Sequence, residues 1–226
     1  MKRLFLFLLA LSFFMACASH QEYNTASFKY KSYRPSMQNI ALNPDGLTPQ
    51  QIKVIASTKA PHDFPLDISV IFLTDGYINS DLKDVLQFGI ISQLKKNSKI
   101  SRITIIPDFI VPNSISFSSI QELGIRSLSQ LVIVFNMNSS DIFKEYVFME
   151  GRKIKVTSRI DYMIVDSYTS AILTTERLYS EKIYNDEAFK AGEREKAVRE
   201  IFREQAIILG HSINTLFENA DNQGNN

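Results

Sequence analysis

Cys17, the one thiol in this 226-residue chain, stands directly after Ala16, at the end of an apolar run from Leu4 to Phe14 that the basic pair Lys2-Arg3 precedes. A short basic start, an apolar core too brief to span a bilayer comfortably and a small residue at the exit make a secretory signal peptide over residues 1–16. The expected cleavage falls immediately before the thiol. A lone cysteine has no partner for an internal disulfide, so the exported domain must be held by its core.

The other residues that could do chemistry do not assemble into a pattern. His20, His62 and His211 lie far apart in sequence, and none belongs to a close His/Cys/Asp/Glu spacing of the kind zinc requires. Gly210-His211-Ser212 lacks the second glycine and the strand-to-helix setting of a nucleophile elbow. Thr74-Asp75-Gly76 offers one glycine where a phosphate loop needs several, and the eight glycines are scattered. Asp161 and Asp166 suggest a general acid and base, but five residues along a strand sets them on opposite faces and about 16 Å apart. Turn formation and solvent exposure account for both. Glu193, Glu195, Glu200 and Glu204 interleave with Arg194, Lys196, Arg199 and Arg203, which reads as a solvated helix face with ion pairs at i,i+4. No catalytic, metal or cofactor residue is expected, and no enzyme activity.

Removing residues 1–16 leaves 210, enough for one domain with a good core. Loss of Lys2 and Arg3 takes the formal charge from +1 to −1. Neither value suits nucleic acid, which calls for a strong basic excess or patch. With 45% apolar and 22% charged residues the composition is that of an ordinary globular protein, and no second apolar run is long enough to cross a membrane as a helix.

The elements that must carry any site follow from texture. Residues 17–65 hold many turn formers, among them Pro35, Asn43-Pro44-Asp45-Gly46, Pro61 and Pro65, and read as a tether with one short helix begun by Thr48-Pro49-Gln50-Gln51. Ile68-Ser69-Val70-Ile71-Phe72-Leu73 reads as a buried strand. Asn79-Ser80-Asp81 opens a helix through Leu82, Val85, Leu86, Gly89, Ile90 and Leu94. A strand at 102–106 stopped by Pro107, a helix over 117–127 and a buried strand Leu131–Phe135 complete β-α-β-α-β, whose crossovers lay neighbouring strands parallel. A long strand over 153–165, a turn at Asp166-Ser167-Tyr168-Thr169 and a return over 171–178 make an antiparallel hairpin. A final helix carries Val198, Ile201, Phe202, Ile208, Leu209, Ile213, Leu216 and Phe217 on one broad face. The expectation is a single α/β (mixed α+β) domain over 66–218, in two or three layers, followed by a polar, disordered tail over 219–226.

The placement of Cys17 after Ala16 resembles bacterial lipoproteins, in which this thiol is lipidated. Phe14 and Met15 depart from the Leu and small residue usual at those two positions, while Ala16 fits. The resemblance implies a diacylglyceryl thioether plus an amide-linked acyl chain such as palmitate. At about 0.8 kcal/mol per buried CH₂, that anchor is effectively permanent. Ala18, where an Asp tends to retain lipoproteins at the inner membrane, implies the outer membrane. The order of tether, strand Ile68–Leu73, helix, strand ending at Ile106-Pro107, strand Leu131–Phe135, long hairpin with Asp161 and Asp166 and C-terminal helix resembles rhombotarget-type lipoproteins. More distantly it is similar to the small domain of curli-secretion lipoproteins and of lipoprotein activators of peptidoglycan synthases. These relatives imply a non-catalytic adaptor that binds an envelope protein partner, with Cys17 the one functional residue carried across. The alternative is a lipid-anchored hydrolase or small-ligand binder whose site is assembled from residues distant in sequence. A deep pocket of convergent polar groups would speak for the ligand, an exposed apolar patch or open sheet edge for the partner.

Overall fold

The computed structural model describes residues 47–57, 64–75, 80–112, 115–138, 141–147, 151–185 and 193–224. Cys17, the signal peptide expected over residues 1–16, His20 and His62 lie outside these residues. The described chain runs α1 (Pro49–Ser57), β1 (Leu66–Asp75), α2 (Ser80–Leu94), β2 (Ile100–Ile105), a 3₁₀ turn (Asp108–Ile110), α3 (Phe117–Arg126), β3 (Leu131–Asn138), β4 (Asp141–Val147), β5 (Gly151–Asp166), β6 (Ile172–Asn185) and α4 (Glu193–Gly224).

The six strands form one mixed sheet. β1 pairs in parallel with β2 on one side and with β3 on the other, as the β-α-β-α-β order predicts. β3 pairs antiparallel with β5, from Leu131 opposite Asp166 to Met137 opposite Ile160. β4 then pairs with the earlier part of β5, from Asp141 opposite Thr157 to Val147 opposite Gly151. Because β6 occupies one edge of β5 from Lys153 to Val165, β3 and β4 must follow one another along its other edge.

Period-two alternation sorts the strand residues between two cores. Leu66, Ile68, Val70 and Phe72 of β1, Leu131, Ile133, Phe135 and Met137 of β3 and Ile154, Val156, Ile160, Tyr162 and Ile164 of β5 pack with α2 and α4. Ile71, Leu73, Val132, Val134, Met163 and Val165 point the other way and pack with Ile120 of α3 and with Ile106, Val111 and Ile115. The domain is therefore three-layered: α2 and α4, the sheet, then α3. Phe72, Phe135 and Tyr162 form a row across three strands, with ring centroids 5.2 Å and 5.7 Å apart. Such aromatic pairs add about 0.5–1.5 kcal/mol each beyond area burial.

Local chemistry sets the helix ends and crossings. Thr48 and Gln51 make the reciprocal bonds of a capping box at the start of α1. Ser116 and Ser119 do the same for α3. α3 ends in a Schellman motif: Ser129 N donates to Gly124 O at 2.9 Å and Leu128 N to Ile125 O at 3.0 Å. The left-handed residue this motif requires is Leu128, at φ 56°, where glycine is usual. α2 and α4 approach so closely that a Cβ on Gly89 would stand 2.5 Å from Ala206 Cβ. Gly210 meets the side chain of Gln93 in the same crossing.

Four expectations are corrected. β4, DIFKEYV, is a strand the texture did not mark, because Lys144 and Glu145 interrupt its apolar residues. β6 continues seven residues past Leu178, to Asn185, because β5 is long enough to pair it throughout. α4 continues to Gly224 rather than giving way to a tail at 219, as no proline interrupts its ladder after Phe217. Ile208 is half exposed, not core-facing. The buried face of α4 instead runs through Ala197, Val198, Ile201, Phe202, Gln205, Ala206, Leu209, Ile213 and Phe217. The helix expected at Thr48-Pro49 is present, but it buries none of its residues.

Candidate interaction surface

The β5–β6 hairpin turns at Asp166, whose Oδ1 accepts from Tyr168 N at 2.9 Å, Thr169 N at 2.7 Å and Thr169 Oγ1 at 2.9 Å. These bonds hold a turn that closes with Ser170 at φ 62° and let the two strands run together for their whole length. The alternation that sends Ile154, Val156, Ile160, Tyr162 and Ile164 toward α4 sends Lys155, Thr157, Arg159 and Asp161 to the other face. α3 covers that face only near Met163 and Val165. Among the described residues no helix packs on the remainder. Beside these β5 residues, β6 places Thr175 opposite Met163, Arg177 opposite Asp161, Tyr179 opposite Arg159, Glu181 opposite Thr157 and Ile183 opposite Lys155.

Charge on this open sheet face is arranged in pairs. Asp161 sits between two guanidiniums, with Arg177 Nε at 2.5 Å and Arg159 Nε at 3.6 Å. The hydrogen bond to the Asp161 carboxylate raises Arg177 above its already high ordinary value. Lys155 Nζ lies 2.8 Å from Glu181 Oε2, and Tyr179 Oη donates to the same oxygen at 3.1 Å. The bond from Lys155, then that from Tyr179, pull Glu181 below the usual glutamate range. Asn136, Arg159, Asp161, Thr175 and Arg177 line an open depression of about 510 Å³ on this face.

The covered face of the same strands carries a second polar set along the margin of α4. Ser212 Oγ donates to Glu176 Oε2 at 3.0 Å. The Tyr162 phenol joins both; burial first and Glu176 second push it up to about 12, against the opposing bond from Ser212. Lys182 Nζ reaches Glu204 at 2.7 Å and Glu200 at 3.1 Å. Burial lowers Lys182, but the two glutamates outweigh it and the net shift is upward. These contacts fasten α4 along β6, and they leave the outer edge of β6 clear: among the described residues no strand bonds to it. Ile172, Tyr179 and Ile183 are all half exposed on this strand.

The structure keeps Asp161 and Asp166 apart on opposite faces, as their spacing requires. It corrects the reason for their presence: Asp166 is fully buried and Asp161 is ion-paired, so solvent exposure explains neither. Gly210-His211-Ser212 lies inside α4, with His211 exposed and Gly210 spent on the helix crossing. In the Glu193–Arg203 run, Glu195 pairs with Arg199 at i,i+4 and Glu193 with Lys196 at i,i+3, but Glu200 reaches across to the sheet. Gly76 lies outside the described residues. Among the described residues no group of three or more His, Cys, Asp and Glu side chains could hold a metal ion, and no described helix is long and apolar enough to cross a membrane. Two further depressions lie elsewhere. One, of about 670 Å³, runs between α2 and α4 beside Phe88, Arg199 and Arg203. The other, of about 260 Å³ at the ends of β1 and β2, is crossed by the Lys83–Asp108 ion pair.

Sequence reasoning passed over Arg159, Arg177, Glu181 and Glu176, and weighed Ser212 only as part of a nucleophile elbow. The signal available was the period-two series Thr175, Arg177, Tyr179, Glu181, Ile183, which continues beyond Leu178.

No family model matches this chain, and no curated protein matches it. Solved structures do. Protein XCC0632 from Xanthomonas campestris is 8% identical at TM-score 0.47, with 84% of this chain and 98% of that one covered. The rare lipoprotein B from Shewanella oneidensis is 10% identical at TM-score 0.38, covering 71% and 99%. The LpoB C-terminal domain from Salmonella enterica is 11% identical at TM-score 0.34, covering 58% and 93%. The solved structures that this α/β chain resembles thus include bacterial envelope lipoproteins.

Proposed function

We propose that this protein is a lipid-anchored, non-catalytic accessory protein of the bacterial envelope, tethered through Cys17 at the outer membrane and engaging an envelope protein partner through the β6 side of its sheet. The observation that carries the reading is the surface itself. Among the described residues a fourteen-residue strand offers one edge to which no strand bonds, and beside it lies a sheet face of paired charges on which no helix packs. An open edge and face of this kind suit a protein partner better than a small ligand, because the depression there is shallow and its charges already satisfy one another. The basic and apolar start before Cys17 supports export and anchoring, and residues 17–65 supply reach from the lipid surface.

In-cell crosslinking of the native protein, followed by mass spectrometry, tests this against an unanchored Cys17→Ala version. One dominant envelope partner, lost when the anchor is lost, is the expected result. Absence of a specific partner in both versions would remove the accessory reading and turn attention to ligands of the soluble domain. The same samples test the anchor: the membrane-extracted protein should begin at residue 17 and carry the mass of a lipidated cysteine.

A further inference from the structure

We propose that the outer edge of β6, which no strand bonds among the described residues, pairs with the same edge of a second copy of this chain, antiparallel and centred on Tyr179, so that one sheet runs continuously through two subunits. The inference rests on reading the β6 side of the sheet as an interaction surface.

Symmetry limits how such a pair can form. Two identical strands run antiparallel about a two-fold axis only when that axis is normal to the sheet, and closed two-fold dimers are the commonest assemblies. A normal axis keeps the helix layers of both copies on one side. Side chains directly opposite in an antiparallel pair share a face, so each β6 residue must meet one an even number of positions away. Each permitted register is then centred on a single residue.

Charge chooses among them. Centred on Tyr179, Arg177 stands opposite Glu181 of the second copy and Glu176 opposite its Lys182, and the axis repeats both pairs. Centred on Glu176, Arg177, Glu181 or Lys182, like charges meet at the axis itself. Centred on Leu178 or Ser180, no unlike charges oppose one another at all. The favoured register also extends contacts already present: the row Asp161, Arg177, then Glu181 and Lys155 of the second copy alternates in sign across the junction. Opposite charges on facing positions stabilise strand pairing, and like charges oppose it.

A second observation points to the same axis. Glu204 is bonded to Lys182 and Ser212 to Glu176, three residues to either side of Tyr179. Ile208 lies one helical turn from both Glu204 and Ser212, so it overlooks the middle of β6, and it is 50% exposed. Tyr179, 53% exposed, stands at the same level on the other face. The two-fold axis sets Ile208 against Ile208 of the second copy above the sheet and Tyr179 against its counterpart below it, which covers apolar surface on both faces at once.

Single cysteines introduced along β6 of the full exported chain test the register, with the unaltered chain as background for Cys17. Tyr179→Cys should form a disulfide-linked dimer on non-reducing gels at least about tenfold above Thr175→Cys or Ile183→Cys. Those positions lie about 27 Å from their own counterparts, far beyond disulfide reach, but should link to each other when the two variants are co-expressed. Arg177→Glu in the Tyr179→Cys background should lower the dimer, and adding Glu181→Arg should restore it. Self-linking strongest at Arg177→Cys or Glu181→Cys, or no linking above background along the strand, overturns the proposal. If a thiol-directed crosslinker at position 179 instead captures a different envelope protein and no self-dimer forms, the self-pairing fails while the interaction-surface reading stands. If it captures neither, both fail.

Discussion

The two halves of the sheet are built from the same kinds of residue but meet different surroundings. β1 and β3 are parallel strands covered on both faces, so Val70, Ile71, Phe72 and Leu73 are buried in succession, as are Leu131 through Phe135. β5 and β6 are antiparallel and covered by α4 on one face. There a buried residue is followed by one that is charged or polar, as in Lys155, Thr157, Arg159 and Asp161. A parallel sheet needs crossover helices that blanket it, whereas a hairpin needs only a turn and can leave a face and an edge to the outside. The half covered on both faces and the half covered on one are therefore separate pieces of one sheet.

Truncation should separate the halves most sharply. Phe135→Ala, between Phe72 and Tyr162, should lower unfolding free energy by about 3–5 kcal/mol, while Tyr179→Ala on β6 should stay within about 0.5 kcal/mol. Urea denaturation of both reads the contrast directly, and equal losses would dissolve it. Gly89→Leu comes next in size. It drives a side chain into Ala206 where α2 crosses α4, and should destabilise by about 1–3 kcal/mol in the same assay.

Alkaline pH tests the covered face of the antiparallel half. The fold raises the Tyr162 phenol to about 12 from an ordinary value near 10. It thereby favours the neutral form, so the contribution is complete below pH 10 and is lost as pH rises through 12. Melting temperature should fall across that window by the equivalent of about 1–2 kcal/mol, and Tyr162→Phe should flatten the fall. Tyr184, raised chiefly by burial, supplies the remaining slope. The smallest change should be a gain. Leu128→Gly relieves a left-handed leucine at the end of α3 and should stabilise by about 1 kcal/mol, visible as a higher melting temperature. No gain would mean that the exposed Leu128 side chain makes a favourable contact that offsets its backbone.

Much of the scaffold was legible because its signals are local. Turn and cap residues such as Thr48 and Asp166 act on backbone groups within four positions, and apolar runs such as Ile68–Leu73 declare burial by themselves. β4 was not legible, since DIFKEYV is a strand only because the first half of β5 lies beside it. The end of β6 was hidden for the same reason. Ile208 looked like core because it shares a helix with core residues; the rotation of α4 decides which of its faces meets the sheet, and that rotation is set by Gly89 and Gly210 at the crossing with α2.

The amino-acid sequence by itself determined the α/β order of elements and the separation of Asp161 from Asp166, because each follows from periodicity or spacing along one chain. Only the tertiary structure decided which charges pair, that Glu200 and Glu204 belong to Lys182, and that one face and one edge of β6 stay open among the described residues. Those outcomes depend on which segments become neighbours, and strand order is a property of the assembled sheet rather than of any strand.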